Sequence, residues 1–183
     1  MLKLQPWLLM LGLMLVGVSI AGPDFQVTQA TTRLVGETYV LRGRIVYRFS
    51  AEALEALEHG VPLTVQVQIR VRPKPSWVWE NSLVDERVRL RIRYKPLTST
   101  YTVSRLPGNG RTYISREAAL VALGELGDVP LFNRERLDPN RRYEVQLRVT
   151  LDIEELPLPL RPMAYLHPSW NLSSDWIKWP LQP

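Results

Sequence analysis

The chain has 183 residues, of which 45% are hydrophobic and 22% charged, with a formal net charge of +5. That length suits one domain of ordinary size, and that composition excludes a disordered chain. Cysteine is absent, so disulfides, thiolate nucleophiles and thiolate metal sites are excluded.

The first residues read as an export signal. Lys3 supplies a positive start, and Trp7 to Ile20 is a nearly continuous apolar run of 14 residues. A membrane-spanning helix needs about 20. Ser19 and Ala21 stand three residues and one residue before Gly22, as a cleavage site requires, which predicts cutting after Ala21. Residues 22–183 are then one domain, including a tryptophan-rich tail at 168–183, and its expected location is the periplasm. The competing reading is an uncleaved inner-membrane anchor.

Beyond the signal the dominant period is two. Short strands are expected at 24–34 and 100–105. "TYVLRGRIVYRF" puts Tyr39, Leu41, Ile45, Tyr47 and Phe49 on one face. "LTVQVQIRVR" turns Leu63, Val65, Val67, Ile69 and Val71 inward and Thr64, Gln66, Gln68, Arg70 and Arg72 outward. "VDERVRLRIRY" separates Val84, Val88, Leu90, Ile92 and Tyr94 from Arg87, Arg89, Arg91 and Arg93. "YEVQLRVTLD" repeats the device with Tyr143, Val145, Leu147, Val149 and Leu151. Such alternation marks strands with one buried and one solvated face.

Two helical insertions interrupt, at about 50–59 and 116–126. The first has Ser50 as N-cap, Glu52 in its first turn, and His59 and Gly60 at its end. The second has Ser115 as cap and Gly127 as stop. "LPGNGR" (106–111) and "LDPNRRY" read as turns. After Leu151 the proline-rich "LPLPLRPM" predicts an extended polyproline II strap, and "WNLSSDWIKWPL" a short helix capped by Ser173 or Ser174. The fold class is mainly β: an antiparallel β-sandwich with two short helical insertions and a proline-rich C-terminal strap.

The basic balance is nearly all arginine, 19 against four lysines. In a hairpin of 63–72 with 85–94 that sets Arg70 opposite Arg87, Gln68 falls opposite Arg89, Gln66 opposite Arg91 and Arg72 opposite Asp85. A register two residues away satisfies the alternation equally. Neighbouring same-face charges, roughly 7 Å apart in water, repel by about 0.6 kcal/mol, so the ladder is tolerable without a partner. A solvated sheet face is therefore the simpler reading. The functional reading is an anion- or partner-binding face built from Arg42, Arg44, Arg70, Arg72, Arg87, Arg89, Arg91 and Arg93. Its ligand would be an anionic envelope lipid or an acidic protein surface. Trp77 and Trp79, in "KPSWVWEN", are candidate aromatic contacts. An export signal argues against nucleic acid as a partner.

Catalysis finds little support. His59 and His167 have no metal-site spacing, and neither a phosphate-binding glycine loop nor a G-x-S-x-G elbow is present. No cofactor is expected. Glu154, Glu155 and Asp138 leave room for an envelope hydrolase using carboxylates that spacing cannot pair.

The stretches "SAEALEALEHGVPLTVQVQI", "LRIRYKPLTSTYTVS", "LDIEELPLPLRP" and "LSSDWIKW" together resemble a proteobacterial family of exported proteins of unknown function, some labelled proline-rich signal peptide proteins. The similarity spans nearly all of the chain after the signal. The family has no assigned activity, and its genes tend to lie beside that of a two-component membrane sensor kinase. The resemblance implies an envelope or signalling-accessory role with that kinase as a possible partner. The expectation is a non-catalytic, monomeric envelope binding protein. The alternatives are the hydrolase and a structural stabiliser of a membrane complex.

Overall fold

The computed structural model describes residues 24–75 and 82–181. The cleavage point after Ala21 and the aromatic pair Trp77 and Trp79 lie outside these residues.

The chain opens with β1 (Phe25–Val35) and β2 (Thr38–Tyr47), a hairpin whose turn places Gly36 at φ +58. That backbone conformation disfavours a side chain. Helix α1 (Ala51–Glu58) follows. Ser50 Oγ accepts the Ala53 N–H at 3.2 Å, and Gly60, at φ +85, donates its N–H to the Leu57 carbonyl at 2.8 Å. Both ends are thus capped as the sequence predicts.

Strands β3 (Leu63–Lys74), β4 (Val84–Lys95), β5 (Thr100–Leu106) and β6 (Gly110–Tyr113) form an antiparallel meander. Helix α2 (Arg116–Gly124) is capped by Ser115, whose Oγ accepts the Ala118 N–H at 3.2 Å. Strands β7 (Glu125–Asn133) and β8 (Arg142–Leu151) come next, then helix α3 (Arg161–Leu166) and β9 (Ile177–Pro180).

Two antiparallel sheets result, in the orders β1-β2-β7 and β6-β5-β4-β3-β8-β9. Their inward residues merge into one core. Phe25, Tyr39 and Leu41 of the smaller sheet and Leu63, Val65, Val67, Ile69, Ile92, Val145 and Leu147 of the larger are all buried, with Leu57 of α1 and Leu123 of α2 sealing the layer. The expected mainly β, antiparallel sandwich is the architecture found.

Three expectations need correction. Helix α2 stops at Gly124, not Gly127, because residues 125–133 are a strand paired with β2. A Cβ on Gly124 would overlap the Ile45 carbonyl oxygen, so this close approach requires glycine. Strand β7 lacks the period of two because two register shifts against β2 space its buried residues three apart: Leu126, Val129 and Phe132. Pro130 is tolerated because β7 is an edge strand.

The C-terminal strap is not polyproline II. It runs as single 3-10 turns at 153–155, 158–160 and 168–170 around α3, each of the last two turns and α3 itself having proline in its first turn. Proline's fixed φ and missing N–H fit that position, so these prolines start helical turns. The tail forms β9 on the open edge of β8 instead of a short helix, with Ser174 Oγ accepting the Val149 N–H at 2.9 Å.

The β3–β4 register is the alternative that the alternation equally allows, two residues from the pairing of Arg70 with Arg87. Arg70 faces Asp85, Gln68 faces Arg87, Gln66 faces Arg89 and Thr64 faces Arg91. A cation–cation pair is thereby replaced by an ion pair.

Candidate anion-binding face

Alternation on β3, β4 and β8 sends their odd and even positions to opposite sides of the larger sheet. Pairing carries the outward phase across neighbouring strands: Arg87 stands opposite Gln68, which stands opposite Arg148, and Arg70 lies between Asp85 and Gln146. By this phase Arg70, Arg72, Lys74, Arg87, Arg89, Arg91, Arg93, Arg142, Arg148 and Lys178 share one face. Three carboxylates reach them: Asp85, Glu144 and Glu155.

Glu155 is the main clamp. It sits in the 3-10 turn after β8 and accepts from Arg89 Nη1 and Arg91 Nη2, each at 2.6 Å. Arg91 Nε also donates to Thr64 Oγ1 at 3.0 Å. Thr64, expected outward and wet, is buried beneath this arrangement, and its carbonyl accepts the Asp152 N–H at 2.8 Å. Burial, followed by the charge of Glu155, pushes the Asp152 carboxyl above its ordinary pKa.

Farther along β3, Arg70 Nε lies 3.4 Å from Asp85 Oδ2, and its guanidinium carbon sits 4.9 Å from the centre of the Trp176 ring. Gln68 Nε2 donates to Asp85 Oδ1 at 2.8 Å. Glu144 pairs with Lys74 and accepts from Gln146 Nε2 at 3.0 Å. Burial pushes the Glu144 carboxyl up, but the bonds from Lys74 and Gln146 outweigh it and hold the group below its usual range.

Among the described residues Arg87 and Arg93 form no ion pair, and the buried Nε of Arg148 meets no acceptor. Arg148 completes the face, and the sequence reading did not select it. The signal was present: it occupies the outward phase of "VQLRVTL", between buried Leu147 and Val149.

Arg42 and Arg44 are not part of this face. They belong to β2 in the smaller sheet, a different layer. Arg42 and Arg33 both bind Asp128, with contacts of 3.0–3.2 Å, and Arg44 lies 3.8 Å from Glu125. Burial raises the Asp128 carboxyl, but the bonds and charges of the two arginines prevail and hold it below its ordinary value. Periodicity reports a side of a strand and not which sheet that strand joins, so the sequence placed six arginines correctly together and two elsewhere.

Two solvent-open clefts lie among the described residues. One, of about 680 Å³, lies over the register shifts of the smaller sheet, between Thr28–Thr31, Arg42–Arg44 and Glu125–Gly127. The other, of about 500 Å³, is lined by Tyr39, Leu137, Tyr143, Leu181 and three arginines. Each has a single carboxylate in its wall, Glu125 and Asp138 respectively. Among the described residues no group of three or more His, Asp or Glu side chains is placed to hold a metal ion, and no helix is long and apolar enough to cross a membrane.

Residues 22–180 match the family described as Domain of unknown function (DUF4390). The chain belongs to this family. No curated protein and no solved structure matches it. The matched span takes in both sheets and the C-terminal segment carrying Glu155 and Trp176, so the whole cationic face lies within the DUF4390 domain.

Proposed function

We propose that this DUF4390 protein is an exported, non-catalytic binding protein of the cell envelope that engages an anionic surface with the outer face of its larger sheet. The observation carrying this reading is the charge imbalance there: among the described residues, ten cationic side chains against three carboxylates. Arg87, Arg93 and Arg148, which form no ion pair among the described residues, lie on a paired β-scaffold and not on loops. A guanidinium in such a place offers forked donors to phosphate or carboxylate. Anionic phospholipid headgroups fit this chemistry, as does an acidic patch on the extracytoplasmic part of a membrane sensor kinase. The signal-like first 21 residues and the family resemblance support an envelope location.

The hydrolase reading is the weaker one. Neither cleft joins two carboxylates, and on the face Glu155 is held by two arginines.

The test is cosedimentation of the purified protein with phosphatidylglycerol-containing vesicles and with neutral phosphatidylcholine vesicles. Wild type is expected to pellet with the first and not the second. Arg87→Gln/Arg93→Gln is expected to lose most of that binding while keeping its melting temperature. Equal pelleting of wild type and variant would reduce the arginines to a solvated sheet surface.

A further inference from the structure

We infer that the cleft of about 500 Å³ is a binding site for a small amphiphilic anion, one with a carboxylate or phosphate head on an apolar body. The site lies at the end of the sandwich away from α1, where β2 and β8 begin and β7 ends. It does not depend on the reading of the sheet face.

The floor is apolar and fixed. Tyr39 is 1% exposed, its ring stacked on Phe132 at 5.0 Å, and Tyr143 is 9% exposed. Leu137 and Leu181 complete it. Three separate stretches of chain are tied around this floor by backbone bonds. Arg134 N–H donates to the Glu37 carbonyl at 2.8 Å, Leu181 N–H donates to the Tyr143 carbonyl at 2.9 Å, and Asp138 N–H donates to the Tyr143 hydroxyl at 3.1 Å. The cavity is therefore preformed, and its volume lies within the range of small-molecule sites, about 300–1,000 Å³.

The rim is cationic. Arg134 and Arg142 line it, and the one carboxylate among the described lining residues, Asp138, is itself engaged in a turn: its Oδ1 accepts the Asn140 N–H at 2.9 Å. An apolar floor alone would take a neutral lipid or aromatic compound, and a cationic rim alone would take an inorganic anion. Together they select a molecule carrying both features.

The probes are oleate and oleoyl lysophosphatidate, with monoolein and inorganic phosphate as controls, titrated calorimetrically into the purified protein below their aggregation concentrations. At least one of the two amphiphilic anions is expected to bind saturably at one site, and a preference between them identifies the head group. Both controls are expected to bind at least about tenfold more weakly, the order of magnitude of one lost charge-assisted bond. Arg134→Gln/Arg142→Gln is expected to weaken the anion at least about tenfold with an unchanged melting temperature. Arg87→Gln/Arg93→Gln is expected to leave it unchanged, which separates this site from the sheet face. The inference is overturned if neither anion binds, if inorganic phosphate or monoolein binds as tightly, or if the sheet-face variant loses binding and the cleft variant keeps it.

Discussion

Replacing Glu155 with glutamine should move stability and anion binding in opposite directions. The carboxylate bridges Arg89 and Arg91 with two bonds of 2.6 Å and is 27% exposed, while the arginines are 45% and 31% exposed. A bond to a charged group contributes about 1.5–3 kcal/mol when well shielded, and exposed ion pairs contribute about 0–1 kcal/mol. At this intermediate exposure the two contacts together stabilise the fold by about 1–2 kcal/mol. For a chain of this size that is a fall of roughly 2–8 °C in melting temperature, read by circular dichroism. The same change adds one net positive charge to the face and frees two guanidinium groups. A unit charge roughly 8 Å from a bound anion contributes about 0.5 kcal/mol in water, less with salt, so binding to anionic vesicles should tighten by up to about twofold. A variant that melts with wild type and binds the vesicles more weakly would refute both halves of the reasoning.

Gly124→Ala should be among the most destabilising single-methyl changes, because the added carbon would overlap the Ile45 carbonyl where α2 turns into β7. The cost is about 1–3 kcal/mol or more, against a gain in helix propensity of about 1 kcal/mol at best, and urea unfolding measures the net loss. Ser50→Ala and Ser115→Ala should each cost about 1 kcal/mol by removing the side-chain acceptor at a helix start, and the losses should add, since the caps belong to different helices. The Asp128 carboxyl has its folded pKa depressed, so its contribution is complete above the unfolded carboxylate value of about 3.9 and is lost as pH falls through the folded value. Asp128→Asn should therefore lower the melting temperature at pH 6 and flatten its decline as pH falls below about 4, in a pH series of thermal melts.

What could be read from the residues alone follows the physics of pairing. Strands β3, β4 and β8 were legible because they pair without register shifts, which keeps a strict period of two. Strand β7 was not, because its bulges against β2 break that period. The C-terminal segment misled because proline suits both an extended strap and the first turn of a helix, and only the packing of 153–170 against the domain decides between them. The outward phase of Arg70, Arg72 and the four arginines of β4 was visible. The assignment of Arg42 and Arg44 to another sheet was not, nor was the clamp by Glu155, which is 64 and 66 residues from its partners. Long-range ion pairs leave no mark on local spacing. The choice of register itself places Asp85 opposite Arg70 and spares the hairpin a pair of facing cations.

The binding face can be mapped directly by modifying arginines with phenylglyoxal in the presence and absence of phosphatidylglycerol-containing vesicles and locating the adducts by mass spectrometry. The account predicts that vesicles protect Arg87, Arg93 and Arg148 while Arg42 and Arg44 on the other sheet react as before. Protection of Arg42 and Arg44 instead, or of no arginine at all, would contradict it.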